Sequence, residues 1–179
     1  MNRLSIILLL VIVGCTSTPG ILVPTARVHE IAREALSERE RARLDALKGL
    51  TIDDSHAEVV PVCYEYSDAR FDAYSPDLSR FVAGWNQQMA TVRVATVQIK
   101  RAVALFNIIS DVGRQTPTFR LTLTLVDEMG REWTIEGFAR GPSYSAFRVW
   151  DIRTSAVAIE SASVAFERAF LTALTKYGR

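Results

Sequence analysis

Two cysteines, Cys15 and Cys63, and two histidines, His29 and His56, are the residues of this 179-residue chain best suited to nucleophilic, redox or metal chemistry. Their spacing sets narrow limits. A structural zinc site draws four ligands from Cys, His and carboxylates, and one strand thiol with two separated histidines does not supply them. Asp53, Asp54 and His56 place three donors within "TIDDSHAE". Adjacent donors on a turn do not define a coordination geometry, so no metal is expected. Ser143 and Ser145 in "GPSYS" lack the G-x-S-x-G spacing of a nucleophile elbow. Neither a P-loop nor a G-x-G-x-x-G fingerprint occurs, and no cofactor is expected. The paired acids of a glycan hydrolase leave no sequence signature, and the 20 Asp and Glu residues supply accidental pairs in any case. Tyr144, Phe147 and Trp150 are the candidate binding residues, because aromatic side chains anchor interfaces. The same spacing also fits strand residues half in a core.

Cys15 stands apart from these. It ends an apolar run, "LSIILLLVIVG" over Leu4–Gly14, preceded by Arg3 as the only charge among the first fourteen residues. A spanning helix needs about 20 apolar residues, and this run has roughly half of that. A short positive start, a short apolar stretch and a small residue at its end mark a secretory signal. In place of an A-x-A-like cleavage site stands Ile12-Val13-Gly14-Cys15. This resembles the lipobox of bacterial lipoproteins. The resemblance implies cleavage after Gly14, diacylation of the Cys15 sulfur and usually acylation of its amine. Two or more acyl chains make a stable membrane anchor. Thr16 follows where Asp retains such proteins at the inner membrane in the enterobacterial pattern, which implies transfer to the outer membrane, facing the periplasm. Residues 1–14 are then signal peptide and 15–24 an acylated tether, with Ile21, Leu22 and Val23 able to dock on the domain.

Cleavage removes Arg3 alone among charged residues and leaves 20 basic and 20 acidic side chains. A chain with no excess of basic charge does not build the field that attracts nucleic acid. Residues 25–179 are enough for one domain. With Cys15 acylated, Cys63 has no partner in its own chain. In "VVPVCYEY" it reads as a small core hydrophobe.

The elements follow from periodicity. Residues 25–48 read as one charged amphipathic helix that stops at Gly49, with Val28, Ile31, Ala35, Leu36, Leu44 and Leu47 as its imperfect stripe. "TIDDSHAE" reads as a turn. Val59–Tyr66 reads as a strand that Pro61 confines to an edge or bulge. A second helix starts with Ser75 as cap and Pro76 in its first turn, and carries Leu78, Val82, Trp85 and Met89 on one face. "TVRVATVQI" reads as a strand. For 101–112, Ala102, Leu105, Ile109 and Val112 favour a helix, with a strand as the alternative. "TFRLTLTLVD" and "EWTIEGFA" alternate and flank a Gly130 turn, a hairpin. A last helix spans Arg153–Tyr177. The expected fold is α+β, an antiparallel sheet with helices packed mainly on one face, a two-layer sandwich. The expected function is that of a non-enzymatic assembly or interaction module of the cell envelope, with an envelope protein as partner. The alternatives are a lipid- or glycan-binding module and a cell-wall hydrolase.

Overall fold

A computed structural model describes residues 20–63, 74–89, 94–145 and 156–178. Two long strands form its frame. β5 (Ala95–Asp111) and β6 (Arg114–Asp127) pair antiparallel from Val97↔Asp127 to Asp111↔Arg114. The turn between them uses Gly113 at φ +73°, a conformation open to glycine without a Cβ clash.

β5 corrects the helix expected over 101–112, which is strand as far as Asp111. The physical reason is that both faces of this stretch are apolar: Ala102, Ala104 and Phe106 face the core, while Val103 and Leu105 between them are half-buried on the other face, so no wet face marks the strand. The register against β6 also shifts between Ile99 and Arg101. Before the shift Val97 and Ile99 face the core, and the extra residue, Lys100, moves the inward set from odd to even positions.

Four shorter strands extend the frame. β2 (Leu50–Asp53) and β3 (Glu58–Cys63) lie one after the other on the same edge of β5, both parallel to it. β7 (Glu132–Arg140) and β8 (Tyr144–Ser145) lie on the far edge of β6, both antiparallel. The six-stranded sheet is therefore mixed, not antiparallel as expected. A short turn, closed by the Ala57 N–H donating to the Asp54 carbonyl, carries the chain onward from β2 to β3 without reversing it. The return to β5 is a long connection through β4 (Tyr74–Pro76) and α3 (Leu78–Met89), as parallel pairing requires. β2 also claims the first residues of the expected turn at "TIDDSHAE". Pro61 sits on a strand whose only partner among the described residues is β5, in keeping with an edge.

The 118–139 hairpin forms as expected, with Phe119, Leu121, Leu123, Leu125 and Ile135 buried. Along β7 the inward positions 135, 137 and 139 are buried and the positions between them are exposed. α4 (Ala156–Leu174) lies along the inner face of β6 and β7. Its approach is closest at glycines. A Cβ on Gly137 would stand 1.8 Å from the Ala169 carbonyl oxygen, and one on Gly141 2.1 Å from that of Ser161. Phe166 of α4 meets Phe81 of α3 at 4.7 Å and Phe119 of β6 at 5.3 Å between ring centroids. The stripe expected on α3 is buried throughout.

The helix expected over 25–48 is two helices. α1 (Ala26–Glu34) is capped by Thr25, whose hydroxyl accepts from the Val28 N–H. α2 (Glu38–Ala46) begins with a capping box: Ser37 Oγ accepts from the Glu40 N–H, and the Glu40 carboxylate accepts from the Ser37 N–H. "SERE" carries this stop-and-restart signal in sequence. α3 is capped by Asp77, not Ser75. Asp77 Oδ1 accepts from the Arg80 N–H at 3.3 Å, and Pro76 belongs to β4. β1 (Gly20–Leu22) runs parallel to β4, and Leu22 is 0% exposed. The tether expected over 15–24 thus overlaps the fold at its end, and the domain begins no later than Gly20. Gly14 and Cys15 lie outside the described residues. Among those described, no helix is long and apolar enough to cross a membrane.

Candidate functional site

The fold brings an acid and a base together in a half-buried seam between two helices. His29 lies mid-way along α1 and Glu167 on α4, 138 residues later. Val28 and Ala32, on either side of His29, are buried and turn this face of α1 onto α4. Glu167 follows Phe166 and precedes Ala169 and Phe170 in a helix covered by the sheet on one side and by α1 on another. The His29 and Glu167 side chains are 22% and 7% exposed. Nδ1 of His29 meets Oε1 of Glu167 in a short contact. With the carboxylate ionised, Nδ1–H is the donor, since a carboxylate only accepts. Oε2 of Glu167 is buried without a hydrogen-bond partner.

A carboxylate that fixes one imidazole nitrogen leaves the other as a base, and this is how a catalytic histidine is oriented. Catalysis would further need a nucleophile or polarised water within reach. No serine, threonine or cysteine side chain bonds to His29 among the described residues, and no group of three or more His, Cys, Asp or Glu side chains converges there or elsewhere among them. What the arrangement does is join α1 to α4. Arg27 and Glu160 form a second tie between these helices, 3.0 Å long and at the surface.

The residues singled out in sequence fall elsewhere. Tyr144, on β8, is buried at 7% exposure, and burial pushes its phenol above the usual range. Phe147 and Trp150 lie outside the described residues. Asp53 ends β2, where the Ser55 backbone and side chain hold its carboxyl below the ordinary range; His56 in the following turn is exposed. Cys63 ends β3 opposite Phe106. Sequence reasoning passed over Glu167. It stands between Phe166 and Ala169–Phe170 in the longest apolar helix, and an acid in such surroundings is a signal in itself.

A second feature is the outer face of the sheet, against which no described helix packs. Val60, Val103 and Leu105 form a half-buried apolar strip on β3 and β5, and Phe138 on β7, across Arg120 of β6 from Leu105, is 47% exposed. Ion pairs border it: Glu58–Arg101 at 3.3 Å, Arg120–Glu136 at 3.6 Å and Lys100–Glu132 at 3.2 Å. Where the hairpin turns, Trp133 stacks edge-on against Tyr177, and the Arg131 guanidinium lies 5.8 Å over the indole.

The fold and these surfaces define an α+β domain with a mixed six-stranded sheet and four helices among the described residues. No protein-family model and no curated protein matches the chain.

Proposed function

We propose that this protein is a lipid-anchored lipoprotein of the bacterial cell envelope. It acts as a non-enzymatic interaction module, held at the outer membrane and facing the periplasm. A signal peptide over residues 1–14 and a short tether precede the domain, a two-layer sandwich of sheet and helices. The observation that carries this reading is Ile12-Val13-Gly14-Cys15 at the end of a short apolar run behind a single arginine. The position of β1 supports it. Ordered chain begins by Gly20, so the span from Cys15 reaches at most about 18 Å when fully extended, and the domain rides close to the bilayer. Binding rather than catalysis is favoured because no nucleophile among the described residues bonds to His29, while the outer sheet face leaves apolar and charged groups open to a protein partner.

The test is acylation. Radiolabelled palmitate should enter the wild-type protein in cells, and mass spectrometry should find Cys15 as the modified N-terminus. Cys15→Ala should abolish both the label and the cleavage after Gly14. Label retained in the variant, or absent from the wild type, overturns the anchor. Phospholipid recovered with the purified protein would instead move the function to lipid carriage.

A further inference from the structure

Glu167 is the one charged residue buried among the described residues, and it lies where α1 meets α4. α1 itself offers only Val28 and Ala32 as fully buried apolar side chains. A buried carboxylate held by one imidazole is a weak fastener. The carboxylate loses its hydration, and replacing such a polar pair by apolar side chains of similar volume is often stabilising. Here the deficit is larger than usual, because Oε2 of Glu167 has no donor when the helices are closed. Opening would hydrate both oxygens. The remaining tie, Arg27–Glu160, is exposed, and surface pairs hold little. Beyond α1 the backbone leaves the helix at Ala35, and α2 starts afresh with its own cap at Ser37. α1 can therefore move without unwinding α2.

We propose that His29–Glu167 is a latch, and that α1 opens from α4 as a unit while the six-stranded sheet stays folded. α1 is the first helix after β1, the strand by which the chain enters the domain. The device stands on the geometry of the pair and does not depend on the lipid anchor.

Native-state hydrogen exchange on the full-length protein in detergent micelles tests it, with the amides of α1 followed beside those of β5 and β6. The α1 amides are expected to exchange at least tenfold faster than the central sheet amides. The double variant His29→Leu/Glu167→Leu, which leaves no buried charge, is expected to slow α1 at least tenfold and leave the sheet unchanged. Should that variant fail to fold, Glu167→Met keeps the length of the side chain, removes the buried charge with its unpaired oxygen and is expected to slow α1 in the same direction. Exchange of α1 in step with the sheet in the wild type, or α1 rates in the substituted protein equal to wild type, overturns the latch.

Discussion

Gly137 has no room for a side chain. Its place on β7 lies under α4, where an added Cβ would stand 1.8 Å from Ala169 O and 2.6 Å from Ala173 N. Backbone on both sides cannot step aside as a flexible side chain would. Gly137→Ala should therefore destabilise the domain by about 3 kcal/mol or more, the upper end of overpacking in a filled core. The check is the urea midpoint of the variant; an unchanged midpoint would mean that α4 does not rest on β7. Nothing in "TIEGFA" announces this role. A glycine within a strand pattern signals a bulge or a close approach, but which helix approaches is decided by an element some thirty residues further along the chain.

At the scale of elements, two local devices set where structure begins and which way it faces. The first is the capping box that restarts the chain as α2. Burial pushes the Glu40 carboxyl up, but hydrogen bonds from the Ser37 hydroxyl and N–H outweigh it, and Arg168 and Lys176 add to them, so the group sits below the ordinary carboxylate range. A depressed folded value means that the stabilisation is present above the unfolded Glu value of about 4.3 and is lost as pH falls through the folded one. Glu40→Gln should cost a few tenths of a kcal/mol at pH 7, small because the site is largely solvated, and nothing near pH 2. Urea midpoints of the two proteins at both pH values would show the gap closing; a gap that persists in acid would remove the charge from the explanation. The second device is the bulge at Lys100. Deleting Lys100 should leave Val97, Ile99, Ala102, Ala104 and Phe106 as alternate residues of one regular strand, all still facing the core. The expected result is a chain that keeps a cooperative unfolding transition, read by near-ultraviolet circular dichroism and thermal melting. Loss of the cooperative melt would show that the fold needs the bulge itself and not only the common facing of these residues.

For the whole molecule, the entry of the chain matters as much as its core. Leu22 is 0% exposed on a strand paired with β4. The Asp77 N–H donates to the Leu22 carbonyl, which joins the entry strand to the cap of α3. A chain starting at Gly20 should fold with full stability, whereas one starting at Thr25 should lose about 2–5 kcal/mol, as for the emptying of any buried leucine site. Paired denaturation curves decide it, and coincident curves would mean that β1 is ornamental to the domain. The same entry point bears on the proposed anchor. The few residues between Cys15 and Gly20 allow the domain little travel from a membrane.

The sequence by itself determined whatever depends on neighbours within a turn or two. The alternation of Phe119, Leu121, Leu123 and Leu125 against threonines and arginine settled the hairpin, and the stripe of Leu78, Val82, Trp85 and Met89 settled α3, because one wet face and one dry face suffice to fix each element. The residues of the lipobox-like segment were legible for the same reason, as a local pattern of side chains. Only the tertiary structure decided the direction of β2 and β3 beside β5, since parallel pairing is specified by contacts across a long connection and leaves no trace in either strand's own pattern. It alone decided that residues 101–111 are strand, because Val103 and Leu105 are as apolar as the inward Ala102, Ala104 and Phe106, and a strand without a wet face shows no alternation of character. It alone brought His29 to Glu167. Each is an ordinary residue on its own helix, and their chemistry exists only because α1 folds back on an element 138 positions away.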